Sequence, residues 1–184
     1  MILPIYTYGQ PILRGESKTI DKSYPEIHDL INSMFETMNK ADGIGLAAPQ
    51  IGLSIRLFII DADGVAKNYP ECVGFKRVMI NPEITSRSDE TVAIEEGCLS
   101  FPGIHEKVQR PVIIEVEYFN ENFVKQNEHL EGFNARIVQH EYEHLHGRVF
   151  IDSIAPMRRQ MNKGKLNNLI KGKVSCNYTV KTIR

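Results

Sequence analysis

Apolar residues recur every three or four positions between residues 26 and 40, the pattern of a helix with one buried face. Ser23 is placed to cap this helix, and Pro25 would lie in its first turn beside Glu26. Because the apolar stripe is continuous, we expect its side chains to form core and not a ligand site. The stripe consists of Ile27, Leu30, Ile31, Met34, Phe35 and Met38.

Four later stretches have the composition of β-strands. Residues 55–61 are rich in β-branched side chains, and residues 77–80 form a second apolar run that ends at Asn81-Pro82. Residues 112–119 alternate between apolar and polar side chains, which predicts a strand with one exposed face. The chain is then expected to turn and form a fourth strand over about residues 123–130.

Two helices are predicted in the C-terminal third. The first covers about residues 133–146, and Gly147 is placed to stop it. The second covers about residues 155–171, with many Lys and Arg side chains on a solvated face and a weak point at Gly164. The order helix, strands, helix predicts an α+β fold with mostly antiparallel sheets.

Composition limits the class of protein. A chain of 184 residues is expected to form a single domain over residues 1–184. The net charge of −1 gives no broad basic field, so DNA is not an expected partner. Three cysteines at irregular spacing favour a reducing compartment, and we find no signal peptide and no apolar run of membrane-spanning length. We therefore expect a cytoplasmic protein with no membrane partner.

Residues 139–144 contain the pattern H-E-x-x-H, formed by His140, Glu141 and His144. On a helix, positions four residues apart share a face, so the two imidazoles can converge on one metal ion. Glu141 would lie beside that ion and could take a proton from a metal-bound water. We expect the sheets to pack around this helix as a central metal-binding helix. The alternative is that both imidazoles lie on a solvated helix face.

A metal held by two histidines needs a third protein ligand. Neither a His at the spacing of the long zinc-protease families nor any carboxylate after Asp152 is present, and His146 would point away from the pair. Cys98 is the best candidate, because it lies in a turn-like setting between apolar segments. Its alternative role is that of a buried core cysteine. A thiolate with two imidazoles suits Fe(II), Zn(II), Ni(II) or Co(II).

Three separate segments together resemble the signature motifs of the peptide deformylases. They are residues 43–50 (GIGLAAPQ), residues 96–100 (EGCLS) and residues 139–144 (QHEYEH). The resemblance implies a metal-dependent amide hydrolase of the bacterial type. Such an enzyme removes the formyl group from formylmethionine at the N-terminus of newly made polypeptides and releases formate.

Carried over position by position, the resemblance implies a role for each motif residue. Glu141 would be the general base and acid, with a metal-bound water as the nucleophile. The Gln50 side chain and the Leu99 backbone N–H would donate to the formyl oxygen as it becomes an oxyanion. One divalent ion is implied, Fe(II) first, with Zn(II), Ni(II) or Co(II) as alternatives. The implied metal ligands are Cys98, His140 and His144, and the implied substrate contacts are Ile44, Gly45, Gly97 and Ile137, with Phe133 as a further contributor.

Several positions leave alternatives open. Glu96 would either hold a ligating histidine or be a surface carboxylate. Arg136 stands where compact bacterial members usually have an apolar residue, and it would either alter the pocket rim or extend into solvent. The neighbourhood of His105 lacks an Arg that some members carry, and the longer segment at residues 66–78 has no assigned role.

Two rival functions differ in their ligands. A zincin-type endopeptidase would need a third His or Glu ligand, and a protein with a structural zinc would need a fourth protein ligand. Transient ribosome association through the basic segment from residue 158 onward would suit an enzyme acting on nascent chains. The simpler interpretation of that segment is a solvated helix followed by a flexible tail.

Overall fold

A computed structural model describes residues 1–183 of the chain. The predicted α+β class is confirmed, because the chain combines helices with mostly antiparallel strands that follow one another in sequence. The helices within residues 1–183 are α1 (Ile27–Lys40), α2 (Gly132–Leu145), α3 (Pro156–Met161) and α4 (Lys163–Ile170). The strands are β1 (Ile5–Tyr6), β2 (Gly45–Ala47), β3 (Leu57–Asp61), β4 (Lys76–Arg87), β5 (Thr91–Gly97), β6 (His105–Pro111), β7 (Ile113–Phe119), β8 (Lys125–Glu131) and β9 (Val180–Lys181).

The strands form three sheets. The largest has the order β2-β3-β4-β7-β8, and all of its neighbouring pairs are antiparallel. Strands β5 and β6 form a separate antiparallel hairpin, whereas β1 and β9 pair in parallel. The predicted strands near residues 55–61, 112–119 and 123–130 correspond to β3, β7 and β8, whereas the two small sheets were not predicted.

Helix α1 buries the predicted apolar stripe, but it begins later than expected. Its first residue is Ile27, and Glu26 precedes it with a φ of 51° and no side-chain cap. The predicted cap at Ser23 is wrong, because the Ser23 hydroxyl donates to Asp21 at 2.6 Å instead. Burial of the apolar face against β2 and β3 therefore sets the position of this helix more than a capping side chain does.

Strand β4 continues past Asn81-Pro82, where the sequence predicted its end. Asn81 has a φ of 49°, and the pairing with β7 shifts in register between Ile80 and Glu83. The Asn81 side chain also bonds the N–H and C=O of Ile20, at 3.0 and 2.7 Å. A β-bulge thus absorbs the proline, and the strand resumes and ends at Arg87.

Helix α2 is enclosed on most sides, since it packs against β2, β3, β6, β7 and β8. Nine of its fourteen residues are buried, including several polar ones. Gly147 has a φ of 63° and lies directly against the backbone of Arg14, which ends the helix as predicted. Buried polar side chains need hydrogen-bond partners, so a helix that buries several of them is a candidate for a functional site.

The predicted C-terminal helix is split into α3 and α4. The break lies at Asn162 and not at the predicted weak point, Gly164. The Asn162 side chain donates to Glu106 on β6 at 2.5 Å and to the Arg158 carbonyl at 3.0 Å. The segment after α4 is not a free tail, because it returns to form β9 beside β1. Within residues 1–183, no helix has the length and apolar character needed to cross a membrane.

Candidate metal centre

Three potential metal ligands meet between the end of β5 and the middle of α2. Cys98 directly follows β5, while His140 and His144 lie one turn apart on α2. One ligand atom from each residue lies within 4.8 Å of the other two. The Cys98 Sγ atom is 3.3 Å from Nε2 of His144. The predicted trio is therefore brought together, and Cys98 is not an isolated core cysteine.

The donor set fits a divalent transition metal. A thiolate and two imidazoles leave a fourth position for a water or substrate, as in catalytic sites. Nδ1 of His140 lies 2.9 Å from the Glu96 carboxylate, so Nε2 is the ring nitrogen left for a metal. Burial, and next the positive charge of His140, lowers the pKa of His144 well below its ordinary value. His144 is therefore neutral, the form that binds a metal.

Glu96 lies at the centre of a buried ion-pair network. Arg110 on β6 donates to both Glu96 oxygens at 2.6 and 3.0 Å, and Arg136 on α2 donates to one at 2.6 Å. Burial favours protonation of Glu96, but hydrogen bonds from His140 and Arg110 outweigh it and lower its pKa below the ordinary value. Glu96 is therefore a buried anion beside His140, a candidate metal ligand, and its interpretation as a surface carboxylate is wrong.

Arg136 does not extend into solvent. Its side chain is 3% exposed, and it donates to the backbone carbonyls of Val108 and Val92 at 2.9 and 2.6 Å as well as to Glu96. It also lines the cleft together with the candidate metal ligands Cys98 and His140. Arg136 thus links helix α2 to the β5–β6 hairpin through buried hydrogen bonds.

Glu141 is buried at the base of the cleft. Its side-chain atom Oε2 has no hydrogen-bond partner among residues 1–183. Burial raises the pKa of Glu141 to about 7. A carboxylate with a pKa near neutrality and a free oxygen is suited to exchanging protons with a reacting group.

Gln50 is held in place at both ends of its side-chain amide. Oε1 accepts from the Ala47 N–H at 2.8 Å, and Nε2 donates to Cys98 Sγ at 3.4 Å and to Ser100 Oγ at 3.2 Å. The amide N–H groups are thus fixed beside the candidate metal ligand. Leu99, the other predicted donor, follows Cys98 in a turn that is closed by a 2.8 Å bond from the Phe101 N–H to the Cys98 carbonyl. We call residues 98–101 the ligand turn.

A cleft of about 520 Å³ opens onto this cluster. His144 lies behind the lining, with an exposure of 1%. His105 and Phe133 also line the cleft. The predicted site residues that line it are Ile44, Gly45, Gln50, Gly97, Cys98, Leu99, Ile137, His140 and Glu141.

Strand β2 forms one edge of the large sheet, beside this cleft. The Ile44 carbonyl accepts from the Asp61 N–H at 3.0 Å, so it faces β3. The Ala47 N–H bonds the Gln50 side chain and so points away from β3. Because ladder bonds alternate along an antiparallel strand, the N–H and C=O of Gly45 face the open edge.

Sequence reasoning missed one wall of the cleft and the segment that supports another of its lining residues. Residues 175–178 line it from the C-terminal segment, where the sequence had suggested a flexible tail. The segment of residues 66–78 supports Phe133, which lines the cleft: Tyr69 stacks on Phe133 with ring centroids 3.8 Å apart, and Glu71 accepts from the Phe133 N–H at 3.0 Å. Neither segment carries a short motif, so only the folded chain reveals these contacts.

Comparisons with known proteins show which family the chain belongs to. A family profile described as Polypeptide deformylase matches residues 2–160. The peptide deformylase of Christiangramia forsetii is 43% identical over 188 residues, covering 98% of this chain and 96% of its own.

Solved structures give the same result. The peptide deformylase 1B of Arabidopsis thaliana has a TM-score of 0.82 at 35% identity, covering 93% of this chain and 92% of its own. The peptide deformylase of Thermotoga maritima has a TM-score of 0.77 at 40% identity, covering 85% of this chain and 99% of its own. With three signature segments around one cleft and these matches along nearly its whole length, the chain belongs to the peptide deformylase family.

Proposed function

We propose that this protein is a peptide deformylase, a metal-dependent hydrolase that removes the N-formyl group from formylmethionine at the N-terminus of nascent polypeptides and releases formate. The observation that carries the proposal is the buried Glu141 carboxylate in the cleft that opens onto the Cys98, His140 and His144 cluster. Membership of the deformylase family supplies the reaction class.

Cys98, His140 and His144 would hold one divalent ion, which as a Lewis acid makes a water molecule nucleophilic near neutral pH and polarises the formyl oxygen. This would make α2 a central metal-binding helix. We propose Fe(II) as the ion, with Zn(II), Ni(II) and Co(II) as alternatives that the same donors accept. Among residues 1–183 the set has three members, which suits a catalytic site better than a closed structural zinc site.

Glu141 would carry the proton through the reaction. Its buried carboxylate takes a proton from the attacking water and later delivers it to the nitrogen of the leaving amine. A pKa of about 7 allows both transfers near neutral pH. The bond between the formyl carbon and the methionine nitrogen breaks, and formate and a free amine leave.

Gln50 and Leu99 would stabilise the oxyanion that forms on the formyl oxygen. The Gln50 amide already lies 3.4 Å from Cys98 Sγ and is fixed by the Ala47 N–H. The Leu99 N–H would be the second donor. Donors fixed in advance cost no reorganisation when the charge develops, so they stabilise the transition state more than mobile water does.

The peptide would bind along the open edge of β2. Gly45 offers an N–H and a C=O there, and pairing through main-chain groups accepts almost any sequence. The methionine side chain would enter the apolar part of the cleft beside Ile137, Phe133 and Ile44. Gly97, on the facing β5 strand, would bound the peptide on its other side.

The cellular setting follows from the substrate. We propose that residues 1–184 act as one catalytic domain in the cytoplasm, where nascent chains emerge and thiols such as Cys98 stay reduced. Transient ribosome association through the basic C-terminal segment is proposed as a means of meeting those chains.

The proposal is tested by incubating the purified protein with formyl-Met-Ala-Ser and, separately, with acetyl-Met-Ala-Ser. The protein is loaded with Fe(II), Ni(II) or Co(II) under anaerobic, reducing conditions, and formate and new amine are measured. We expect equal amounts of formate and amine from the formyl peptide. Glu141→Gln should lose at least about 100-fold in turnover because the proton carrier is removed, while its metal content stays the same.

Absence of both products with every metal would refute the deformylase activity. Cleavage at an internal peptide bond would instead favour the zincin-type endopeptidase. Metal-edge spectroscopy separates the two by ligand type, since the endopeptidase would replace the Cys98 sulphur with a third nitrogen or oxygen ligand.

A further inference from the structure

The C-terminal segment after α4 returns to the cleft and is anchored beside it. Residues 175–178 line the cleft, and β9 then pairs in parallel with β1. The Ile5 N–H donates to the Thr179 carbonyl at 2.9 Å, and the Thr7 N–H donates to the Lys181 carbonyl at 3.1 Å. Backbone bonds therefore fix the residue that directly follows Tyr178.

Tyr178 reaches from this segment to the ligand turn. Its hydroxyl donates to the Leu99 carbonyl at 2.8 Å. The next carbonyl along the turn, that of Ser100, accepts from the Tyr8 N–H at 2.9 Å. The N-terminal and C-terminal segments thus hold two consecutive carbonyl groups of the turn that carries Cys98.

We infer that Tyr178 is a positioning residue for the reaction, which holds Leu99 through its carbonyl so that the Leu99 N–H keeps its direction in the cleft. This inference rests on the proposed function, in which that N–H donates to the oxyanion. Tyr178 acts through Leu99 and needs no contact with the reacting atoms. Within residues 1–183, backbone N–H groups bond the carbonyls of Cys98, Ser100 and Phe101 but not that of Leu99, so the Tyr178 hydroxyl is the donor that holds it.

The expected effect is on turnover more than on substrate affinity. An oxyanion donor matters most in the transition state, so loosening it lowers kcat with little change in KM. Removing an oxyanion donor outright costs about 100-fold to 1000-fold in kcat. Because Tyr178→Phe only loosens the donor, we expect a fall of about 10-fold.

The test compares Tyr178→Phe with Tyr6→Phe. Tyr6 lies on β1, and its hydroxyl accepts from Lys181 Nζ at 3.0 Å, so its loss perturbs the same strand pairing without touching the ligand turn. Kinetic constants are measured with formyl-Met-Ala-Ser on the Ni(II) enzyme. Amide hydrogen exchange at Leu99 and Ser100 is measured on the same preparations without substrate.

We expect Tyr178→Phe to lower kcat, leave KM within about twofold and speed exchange at Leu99, while Tyr6→Phe matches the unmodified enzyme. Unchanged kcat, with or without faster exchange, would overturn the inference, as would a rise in KM alone or an equal effect of Tyr6→Phe. If the unmodified enzyme releases no formate, the proposed function itself fails. In that case, the hydrogen-exchange rates still show whether the Tyr178 hydroxyl stabilises the ligand turn.

Discussion

At the scale of single residues, Gly45 shows how tightly the atoms of the site are packed. A Cβ atom there would overlap the Glu141 carboxylate, with its Cδ atom 2.8 Å away. We expect Gly45→Ala to displace that carboxylate and lower kcat by at least about 100-fold, the usual contribution of a general base. The fold should survive, because the displaced group is the end of a flexible side chain. Turnover and metal content per chain are measured together.

Gly64→Ala is the matched control for that substitution. Apart from its two chain neighbours, no atom of the described chain lies within 4 Å of a Cβ placed at Gly64, and Gly64 itself does not line the cleft, although the adjacent Val65 does. It should keep full activity. If Gly45→Ala kept full activity as well, the position of Glu141 in this structure, or its role as the proton carrier, would be wrong.

Residue types at fixed spacing could be predicted from the sequence, whereas the environment of Arg136 could not. The spacing of His140 and His144 on a helix fixes their common face in advance. Arg136 is buried only because Glu96, Val108 and Val92 supply acceptors from segments 28 to 44 residues away. Such long-range compensation for a buried charge leaves no local pattern.

At the scale of elements, the hydrophobic pattern predicted the long helices and the central strands but missed β6. The buried positions of β6 are Glu106, Val108 and Arg110, so two of its three inward side chains are charged. Glu106 pairs with Arg158 at 2.8 Å, and Arg110 pairs with Glu96 at 2.6 Å. A strand whose inner face is formed by ion pairs does not show apolar alternation.

A second element-scale feature is the contact between the turn of residues 11–14, which follows β1, and the turn of residues 150–152, which follows α2. Arg14 donates to Asp152 at 2.5 Å, and the Asp152 carboxylate also accepts from the Val149 N–H at 3.1 Å. Burial would raise the pKa of Asp152, but the hydrogen bond from Arg14 prevails and lowers it below 3.8. A lowered pKa stabilises the folded state above the unfolded pKa, and this stabilisation is lost as the pH falls through the folded pKa.

Asp152→Asn tests this contact, because asparagine keeps an acceptor for Val149 but removes the charge. We expect the free energy of unfolding at pH 7 to fall by at most about 1 kcal/mol, since Arg14 is partly exposed and the pair is screened. The difference from the unmodified protein should become smaller at about pH 3, because the stabilisation is lost as the pH falls towards and through the lowered folded pKa of Asp152. The free energy of unfolding of both proteins is measured by urea unfolding at the two pH values. If the two proteins differed equally at both pH values, the charge of Asp152 would be excluded as the source of the difference.

At the scale of the whole molecule, the two chain ends close onto the site. Strands β1 and β9 pair across almost the full length of the sequence, and each end also donates to the ligand turn. Strands of two residues carry no periodic signal, so sequence patterns predicted neither of them. The cleft is therefore complete only when the whole chain has folded, because no local segment forms it alone.

Cys72 lies in the hydrophobic core behind the cleft, and its reactivity reports on the opening of that core. This residue is 0% exposed and belongs to the cluster that joins β3, β4 and α2, with Phe58, Phe75 and Ala135 among its members. Burial raises the pKa of Cys72 to about 11, with a smaller contribution from the charge of Glu71. Both effects oppose alkylation, because the reactive species is an exposed thiolate.

We expect Cys72 to react with iodoacetamide at pH 8 only as fast as the molecule unfolds, since no smaller opening exposes a side chain in the shared core. Its labelling rate should rise with urea in parallel with global unfolding, as followed by peptide mass spectrometry and circular dichroism. Cys176 is partly exposed at the cleft and serves as the internal control, because it should label without urea. Labelling of Cys72 at the rate of Cys176 in native buffer would mean that the segment of residues 66–78 opens independently of the core.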